Sequence, residues 1–198
     1  MTGDPTPAAR RRSGGGRTQR TRDPRARREA LARAVLEVVA EVGIGRTTHR
    51  AVAARADLPL GATTYYFPTL DDLIAAGLRL ATDLLDAELR SWSDRLAAAP
   101  DPAAALVQLV GSYLADRRRA RIEYELYLAA ARDVALRPLA ETWLHGFREL
   151  SERYVDGADP RAVGALLDGA MLQALVTGTD LDTPGLTAAI RRLTTPPG

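Results

Sequence analysis

Apolar residues recur every three or four positions from about Arg25 to near the C-terminus, which is the period of an α-helix. The first helical stretch, residues 24–42, carries one apolar stripe. That stripe contains Leu31, Val35, Val38 and Val42, with Val39 beside it. No run of alternating β-branched residues, the mark of a strand, occurs in the chain. The pattern therefore predicts an all-α protein.

Capping residues and helix breakers divide this periodic region into nine predicted helices. Gly43 can end the first helix in the left-handed conformation, and the Asp-Pro pairs at 101–102 and 159–160 supply an N-cap followed by a first-turn proline. The predicted helices cover residues 24–42, 48–56, 60–67, 70–98, 102–118, 121–132, 136–156, 160–177 and 184–193. The second and third are short and joined by a tight turn, which is the spacing of a helix-turn-helix.

The net charge of +2 conceals an uneven distribution of arginine, which supplies all 27 basic residues because lysine is absent. Residues 1–28 hold nine arginines and two aspartates, a net charge of +7, so the rest of the chain carries −5. Residues 1–23 are rich in Gly, Pro, Ser and Thr and show no apolar period, so we expect a disordered arm. A basic arm favours a polyanionic partner, with nucleic acid ahead of an anionic membrane.

The composition, with 46% apolar and 26% charged residues, is that of a soluble globular protein. Cysteine is absent and only His49 and His145 are histidines, which excludes disulfides, thiolate catalysis and Cys- or His-rich metal centres. No stretch approaches the roughly 18–20 apolar residues of a transmembrane helix, and no apolar segment follows the arginines of the arm as a secretion signal requires. We therefore expect a cytoplasmic protein without a metal or cofactor.

One pair of residues keeps an enzymatic alternative open. His145 and Glu149 lie four positions apart on one predicted helix, a spacing that could hold half a metal site. No second histidine lies on that face, and the chain has no Gly-rich phosphate loop and no nucleophile motif. The sequence therefore predicts a protein that is not an enzyme.

Residues 43–73 read GIGRTTHRAVAARADLPLGATTYYFPTLDDL. A Thr-capped helix is followed by a turn, a short helix ending in two tyrosines and Phe67, and an acidic start to the next helix. This segment resembles the DNA-binding segment of the TetR family of transcriptional regulators, and residues 121–143 resemble a ligand-domain segment of one branch of that family. The resemblance extends over about residues 25–195. It implies a nine-helix TetR-like fold with a helix-turn-helix head at 24–69 and a helical ligand-binding and dimerisation domain at 70–198.

The motif departs from the family pattern at two positions. The family usually has an aromatic residue three positions before the closing Phe and a lysine three positions after it, whereas this chain has Thr64 and Leu70. Both family residues commonly contact the DNA backbone. We therefore expect the arginine-rich arm to replace the missing phosphate contacts.

In a helix-turn-helix the second helix enters the major groove, where its first residues meet base edges. The residues expected to face DNA are Thr47, Thr48, Leu60, Gly61, Ala62, Thr64, Tyr65 and Tyr66. None is Arg, Asn or Gln, so specificity must come from thymine methyl contacts, hydroxyl groups and DNA shape. Thr47 and Thr48 are expected to hold a phosphate together with the free amides that begin their helix.

The predicted helix at 160–177 carries the argument for dimerisation. Between Val163 and Val176 its only polar side chains are Asp168 and Gln173, and a helix that is apolar all round must be buried on every side. The helix that follows is too short to cover the remaining face. A second copy of the chain would cover it in a two-fold bundle through the eighth and ninth helices. The alternative is a central helix of a monomeric core.

The resemblance implies a small-molecule site among the fourth to eighth helices, and inward aromatic and polar residues are the candidates for its lining. They are Trp92, Tyr113, Tyr124, Glu125, Tyr127, Trp143, Phe147, Asp168, Met171 and Gln173. Glu125 and Asp168 would supply the polar anchors. The alternative is that these side chains build the core, with Glu125 paired to Arg121 on one helix face.

Taken with the resemblance, these features predict a dimeric, sequence-specific DNA-binding transcription regulator. The resemblance implies a repressor that an unknown small-molecule effector releases from a palindromic operator in double-stranded DNA, because the effector moves the two heads out of register. The alternative is a non-specific DNA-binding or scaffold protein that uses only the basic arm.

Overall fold

The computed structural model describes residues 23–157 and 159–194, and in these residues it contains nine α-helices, two short 3₁₀ helices and no strand. The α-helices are α1 (Pro24–Val42), α2 (His49–Arg55), α3 (Leu60–Tyr66), α4 (Leu70–Ala97), α5 (Pro102–Leu114), α6 (Arg117–Ala129), α7 (Arg137–Tyr154), α8 (Pro160–Thr177) and α9 (Thr183–Thr194). The 3₁₀ helices are Ile44–Arg46 and Val134–Leu136. The prediction of an all-α fold is confirmed. The predicted arm at residues 1–23 lies outside the described residues except for Asp23.

The helix starts follow the capping chemistry of the sequence. Asp23, Asp101 and Asp159 each accept a hydrogen bond from a backbone amide of the turn that follows, and each precedes a proline. Thr69 and Asp72 form a capping box that begins α4. In the described part of the chain, no helix is both long and apolar enough to cross a bilayer.

Two predictions about helix ends are wrong. The boundary between the fifth and sixth helices lies four residues earlier than predicted, because the Asp116 side chain accepts a hydrogen bond from the Arg119 amide (3.0 Å) and caps α6. Gly43 has φ +80° and ψ 163°, which is outside the left-handed helical region, and it leads the chain straight into the 3₁₀ helix Ile44–Arg46. Its amide still closes α1 by donating to the Val39 carbonyl (2.8 Å).

The helices enclose two hydrophobic clusters. The head core joins α1, α2 and the start of α4, and its buried side chains include Leu31, Val52, Phe67 and Leu73, together with Leu126 from α6. The body core joins the C-terminal half of α4 with α5, α6, α7, α8 and α9. Val52 and Phe67 are almost completely buried in the head core. Because α4 and α6 contribute to both cores, a shift of either helix moves the head relative to the body.

The packing of α1 against α4 is closest to its steric limit at Gly77. A Cβ atom on Gly77 would lie 2.3 Å from Cγ1 of Val35 and 3.0 Å from the carbonyl oxygen of Ala32. Both neighbours belong to buried residues of α1, and a backbone carbonyl moves only if the helix moves. The missing side chain at Gly77 therefore sets how near α1 lies to α4.

We predict that Gly77→Ala lowers the free energy of unfolding by about 1–3 kcal/mol, the usual cost of overpacking a core contact. Gly111→Ala on α5 is the matched control, because a Cβ atom there meets nothing within 4 Å. Replacing that helical glycine should stabilise the protein by about 0.5–1 kcal/mol. Urea unfolding followed by circular dichroism measures both variants, and equal changes in the two would contradict the close α1–α4 packing.

Candidate DNA interface and ligand cavity

The short helices α2 and α3 are joined by a tight turn. The Thr48 hydroxyl caps α2 by accepting a hydrogen bond from the Ala51 amide (3.1 Å). After α2, the Leu58 amide donates to the Ala53 carbonyl (3.0 Å), and Asp57 takes a positive φ of 53°. A short polar side chain tolerates that conformation better than a bulky one. The segment has the helix-turn-helix arrangement that the sequence predicts.

α3 turns one face to solvent and the other to the head core. Its exposed residues are Leu60 (45% exposed), Gly61, Thr64 and Tyr65 (79% exposed). Ala62 and Tyr66 are half-buried, and the Tyr66 ring meets the Tyr65 ring edge-on with 4.9 Å between centroids. All six α3 residues that the sequence assigns to DNA therefore lie on or beside the exposed face.

The two threonines before α2 have different surroundings. Thr48 is exposed at the N-terminus of α2, whereas Thr47 is only 3% exposed and its hydroxyl donates to the Gly43 carbonyl (2.9 Å). The placement of Thr47 at a phosphate is therefore wrong, because the turn after Gly43 directs this side chain back onto the end of α1. Arg46 and Arg50, which the sequence analysis did not select, are exposed on either side of Thr48 in the sequence. Basic residues flanking a Thr-capped helix start were the available signal.

A cavity of about 380 Å³ opens between α1, α4, α6 and α7, with one wall residue from α5. This volume lies within the range of about 300–1,000 Å³ that small-molecule sites occupy. Its aromatic lining consists of Tyr113, Tyr124, Tyr127 and Trp143, and its charged lining consists of Arg33, Glu37, Asp116, Arg118, Arg119 and Glu123. Because α1 supplies Arg33, Leu36 and Glu37, a helix of the head forms part of the cavity wall.

Four of the ten residues predicted for a ligand site line this cavity, namely Tyr113, Tyr124, Tyr127 and Trp143. Three others belong to the body core rather than to the lining, namely Trp92, Phe147 and Met171. Trp92 packs edge-on against the rings of Tyr113, Trp143 and Phe147, with centroids 5.6 to 6.4 Å apart. These three side chains therefore form part of the core, which is the alternative that the sequence analysis left open.

Asp168 lies behind two of the aromatic side chains. Its Oδ1 accepts hydrogen bonds from Nε1 of Trp143 (3.2 Å) and from the hydroxyl of Tyr124 (3.3 Å). Burial raises the pKa of the Asp168 carboxyl, and the two hydrogen bonds oppose that rise without cancelling it. Asp168 thus links α8 to the cavity wall through the two rings without lining the cavity itself.

Glu125 and Gln173 are exposed, so their predicted inward placement is wrong. An α-helix turns by about 100° per residue, which puts Glu123 beside the inward stripe of Tyr124 and Tyr127 and puts Glu125 on the far side of α6. Likewise, Gln173 lies outside the buried stripe of α8, which contains Val163, Leu167, Met171 and Ala174. On α6, Glu123 and not Glu125 is the acidic residue that lines the cavity, and the sequence analysis missed it.

Glu123 takes part in a compact polar group at the cavity wall. Its Oε2 accepts a hydrogen bond from the Tyr113 hydroxyl (2.8 Å), and its Oε1 lies 3.5 Å from Nε of Arg119. Arg119 also donates to both carboxylate oxygens of Glu88 on α4, at 3.0 and 2.9 Å. Burial raises the pKa of Glu123, despite the opposing effects of the Tyr113 hydrogen bond and the Arg119 charge.

Glu37 joins the head to the body at another part of the wall. On α1, its Oε2 accepts hydrogen bonds from Arg55 of α2 (3.1 Å) and from Arg118 of α6 (2.6 Å). Burial alone would raise the pKa of Glu37, but the hydrogen bonds from Arg118 and Arg55 outweigh it and lower the pKa. Three helices therefore meet in one ion-paired group that borders the cavity.

The residues of the enzymatic alternative lie elsewhere. His145 and Glu149 line a groove of about 430 Å³ between α4 and α7, together with Asp86 and Arg90. Over the described residues, no group of three or more His, Cys, Asp or Glu side chains is arranged to hold a metal ion.

Comparison with known proteins agrees with this architecture. A family model described as "Tetracyclin repressor-like, C-terminal domain" matches residues 97–196. The HTH-type transcriptional regulator BetI of Escherichia coli O157:H7 is 28% identical over 173 residues, which cover 80% of this chain and 87% of BetI. The SCO1917 protein of Streptomyces coelicolor A3, described as a member of the TetR family, superposes with a TM-score of 0.68 at 41% identity, covering 84% of this chain and 97% of that one.

A second solved structure is the multidrug binding protein EbrR in complex with malachite green. It superposes with a TM-score of 0.67 at 40% identity, covering 84% of this chain and 97% of EbrR. EbrR has also been crystallised with imidazole, proflavin and ethidium. The family model spans half of this chain, the helical fold is shared, and the relatives are regulators of transcription. This chain belongs to the TetR family of DNA-binding transcription regulators.

Proposed function

We propose that this protein is a dimeric repressor that binds a palindromic operator through α3 and leaves it when a small molecule enters the cavity. The observation that carries the proposal is that one cavity is walled by α1 of the head and by α4, α6 and α7 of the body. A ligand there contacts both parts at once. It therefore favours the relative position of head and body that accommodates it best.

The proposed base-reading residues are Leu60, Gly61, Thr64 and Tyr65, with Ala62 and Tyr66 beside them. Tyr65 extends furthest into solvent and offers both a ring for thymine methyls and a hydroxyl for hydrogen bonding. Thr48 and the free amides of α2 would hold a phosphate, with Arg46 and Arg50 as neighbouring cations. The arginine-rich arm would add salt-sensitive phosphate contacts.

The proposed dimer uses an exposed stripe on α8. Ala165, Gly169, Leu172 and Val176 follow one another at intervals of four, three and four residues, so they lie on one helix face. Val176 is 78% exposed and Leu172 is 38% exposed. A Cβ atom on Gly169 would meet nothing within 4 Å in the single chain, which leaves room for a second helix to approach closely. A two-fold copy of α8 would cover this stripe, with α9 beside it.

A two-fold dimer places two recognition helices about one DNA turn apart, roughly 34–36 Å, so it requires a palindromic site. α4 begins only four residues after α3 ends, and it reaches the cavity through Ala81, Leu84 and Leu85. A ligand that shifts α4 therefore changes the separation of the two α3 helices. The four aromatic cavity side chains favour an aromatic effector, as do the malachite green, proflavin and ethidium that EbrR binds.

We predict that Tyr65→Ala weakens binding to the operator by at least about 10-fold, the usual cost of losing one base contact, and leaves binding to random DNA unchanged. The operator is the duplex that the protein enriches most strongly from a random pool, and fluorescence anisotropy measures the affinity. Tyr65→Phe separates the ring from the hydroxyl. Leu144→Ala, a change at an exposed position on α7, is the control that should bind like the wild type.

The alternative is a non-specific DNA-binding protein that uses only its basic arm, and it predicts different results for the same duplexes. On that account, operator and random DNA bind equally, deletion of residues 1–23 abolishes both, and Tyr65→Ala has no effect. Preferential operator binding that survives deletion of the arm rejects this alternative.

We predict that Val176→Arg raises the dimer dissociation constant at least about 10-fold, because it places a charge in an apolar interface. Val134→Arg is the matched control, since Val134 is 68% exposed but belongs to the 3₁₀ helix before α7. Sedimentation equilibrium at several protein concentrations measures both. A monomeric wild type, or equal dissociation constants for the two variants, would exclude the α8 interface.

A further inference from the structure

We propose that the cavity holds a subsite for an aromatic cation, that the Arg119 guanidinium occupies this subsite in the ligand-free protein, and that a cationic effector displaces it. The inference rests on the proposed function, because it names the chemical class of the small molecule and the residue with which that molecule competes. It goes beyond an aromatic effector in requiring a positive charge.

The surroundings of Arg119 are those of a bound organic cation. Its guanidinium carbon lies 5.1 Å from the centroid of the Tyr113 ring, within the distance of a cation–π contact. Its Nε lies 3.5 Å from Oε1 of Glu123, whose other oxygen is held by the Tyr113 hydroxyl. The guanidinium of Arg119, a delocalised planar cation of the protein itself, thus lies against an aromatic ring face and a carboxylate.

The cavity also offers space and further aromatic surface next to this pair. Tyr124, Tyr127 and Trp143 line the same space of about 380 Å³ as Tyr113 and Glu123. A flat cation larger than guanidinium would keep the contacts with Glu123 and Tyr113 and would add contacts with these rings. An aromatic cation is therefore better suited to the complete site than the arginine that fills part of it.

Arg119 has a second anchor that makes its displacement feasible. Its Nη2 donates to both carboxylate oxygens of Glu88 on α4. When a ligand cation takes over Glu123, the guanidinium retains a carboxylate partner and is not left buried and unpaired. Arg119 also ties α6 to α4 through Glu88, so its movement alters the contact between two helices that both reach the head core.

Arg118 provides a matched control for the test. It follows Arg119 on α6, lines the same cavity and carries the same charge, but it pairs with Glu37 and not with Glu123. Arg118→Gln and Arg119→Gln therefore remove the same charge from the cavity. Any difference between the two in cation binding reports the Glu123–Tyr113 subsite and not the general potential of the cavity.

The experiment is a fluorescence titration of the full-length protein with proflavin, a cation that fits the subsite. Arg119→Gln should bind proflavin at least about 5-fold more tightly than Arg118→Gln, because the competing cation–π contact is gone. Glu123→Gln should bind about 10-fold more weakly than the wild type, because the charge-assisted contact is lost. Arg119→Lys, which keeps the charge without the planar group, should lie between the wild type and Arg119→Gln.

Acridine, the parent ring of proflavin and neutral at about pH 7.5, provides the charge control because it has no positive charge to place at Glu123. Its affinity should be the same for Arg119→Gln and Arg118→Gln. Thermal melting followed by circular dichroism checks that each variant is folded.

Three results would overturn the inference: no proflavin binding by the wild type, equal affinities for the two glutamine variants, or unchanged binding by Glu123→Gln. Operator binding by the wild type is measured separately and without the dye, so the two proposals are tested independently. A protein that binds its operator but fails the titration keeps the proposed function and loses the cation subsite. A protein that passes the titration without binding an operator retains the subsite and loses the proposed function.

Discussion

α1 packs against α4 at Gly77, where the neighbouring atoms leave no space for a side chain. This contact joins the head to the helix that continues into the body core. α1 carries the head core on one side and supplies Glu37 and Leu36 to the cavity on another. α4 runs without a break from its start near α3 to the body core. A close-packed contact of this kind resists small deformations, so a ligand that fills the cavity moves helices as units.

The cavity combines aromatic rings with ion pairs that connect different helices. Glu37 links α1 to α2 and α6, and Arg119 links α6 to α4. In the proposed mechanism, a ligand cation that pairs with Glu123 competes with Arg119 for that carboxylate, while Arg119 keeps Glu88 as a partner. In that mechanism, ligand charge and helix position are therefore coupled through the same side chains, which is the physical content of an allosteric link.

Local chemistry made much of the fold predictable. Asp-Pro caps located the starts of α5 and α8, and residues 43–73 contained enough of the family motif to place the helix-turn-helix. The end of α5 and the start of α6 were harder to predict, because several residues near Asp116 are compatible with either helix. Thr47 and Glu125 were misplaced because burial depends on contacts with other helices, and the sequence alone does not give the direction of the α6 face. The cavity itself arises from five helices that are distant in sequence, so only its rings could be anticipated.

The most direct measurement is DNase I footprinting of the protein on the intergenic DNA that flanks its own gene, at near-physiological salt. A dimeric repressor should protect a near-palindrome of two half-sites separated by one helical turn. Uniform weak protection that disappears as the salt concentration rises would contradict the account, because it would mean that the arginine-rich arm supplies the binding and that α3 reads no sequence.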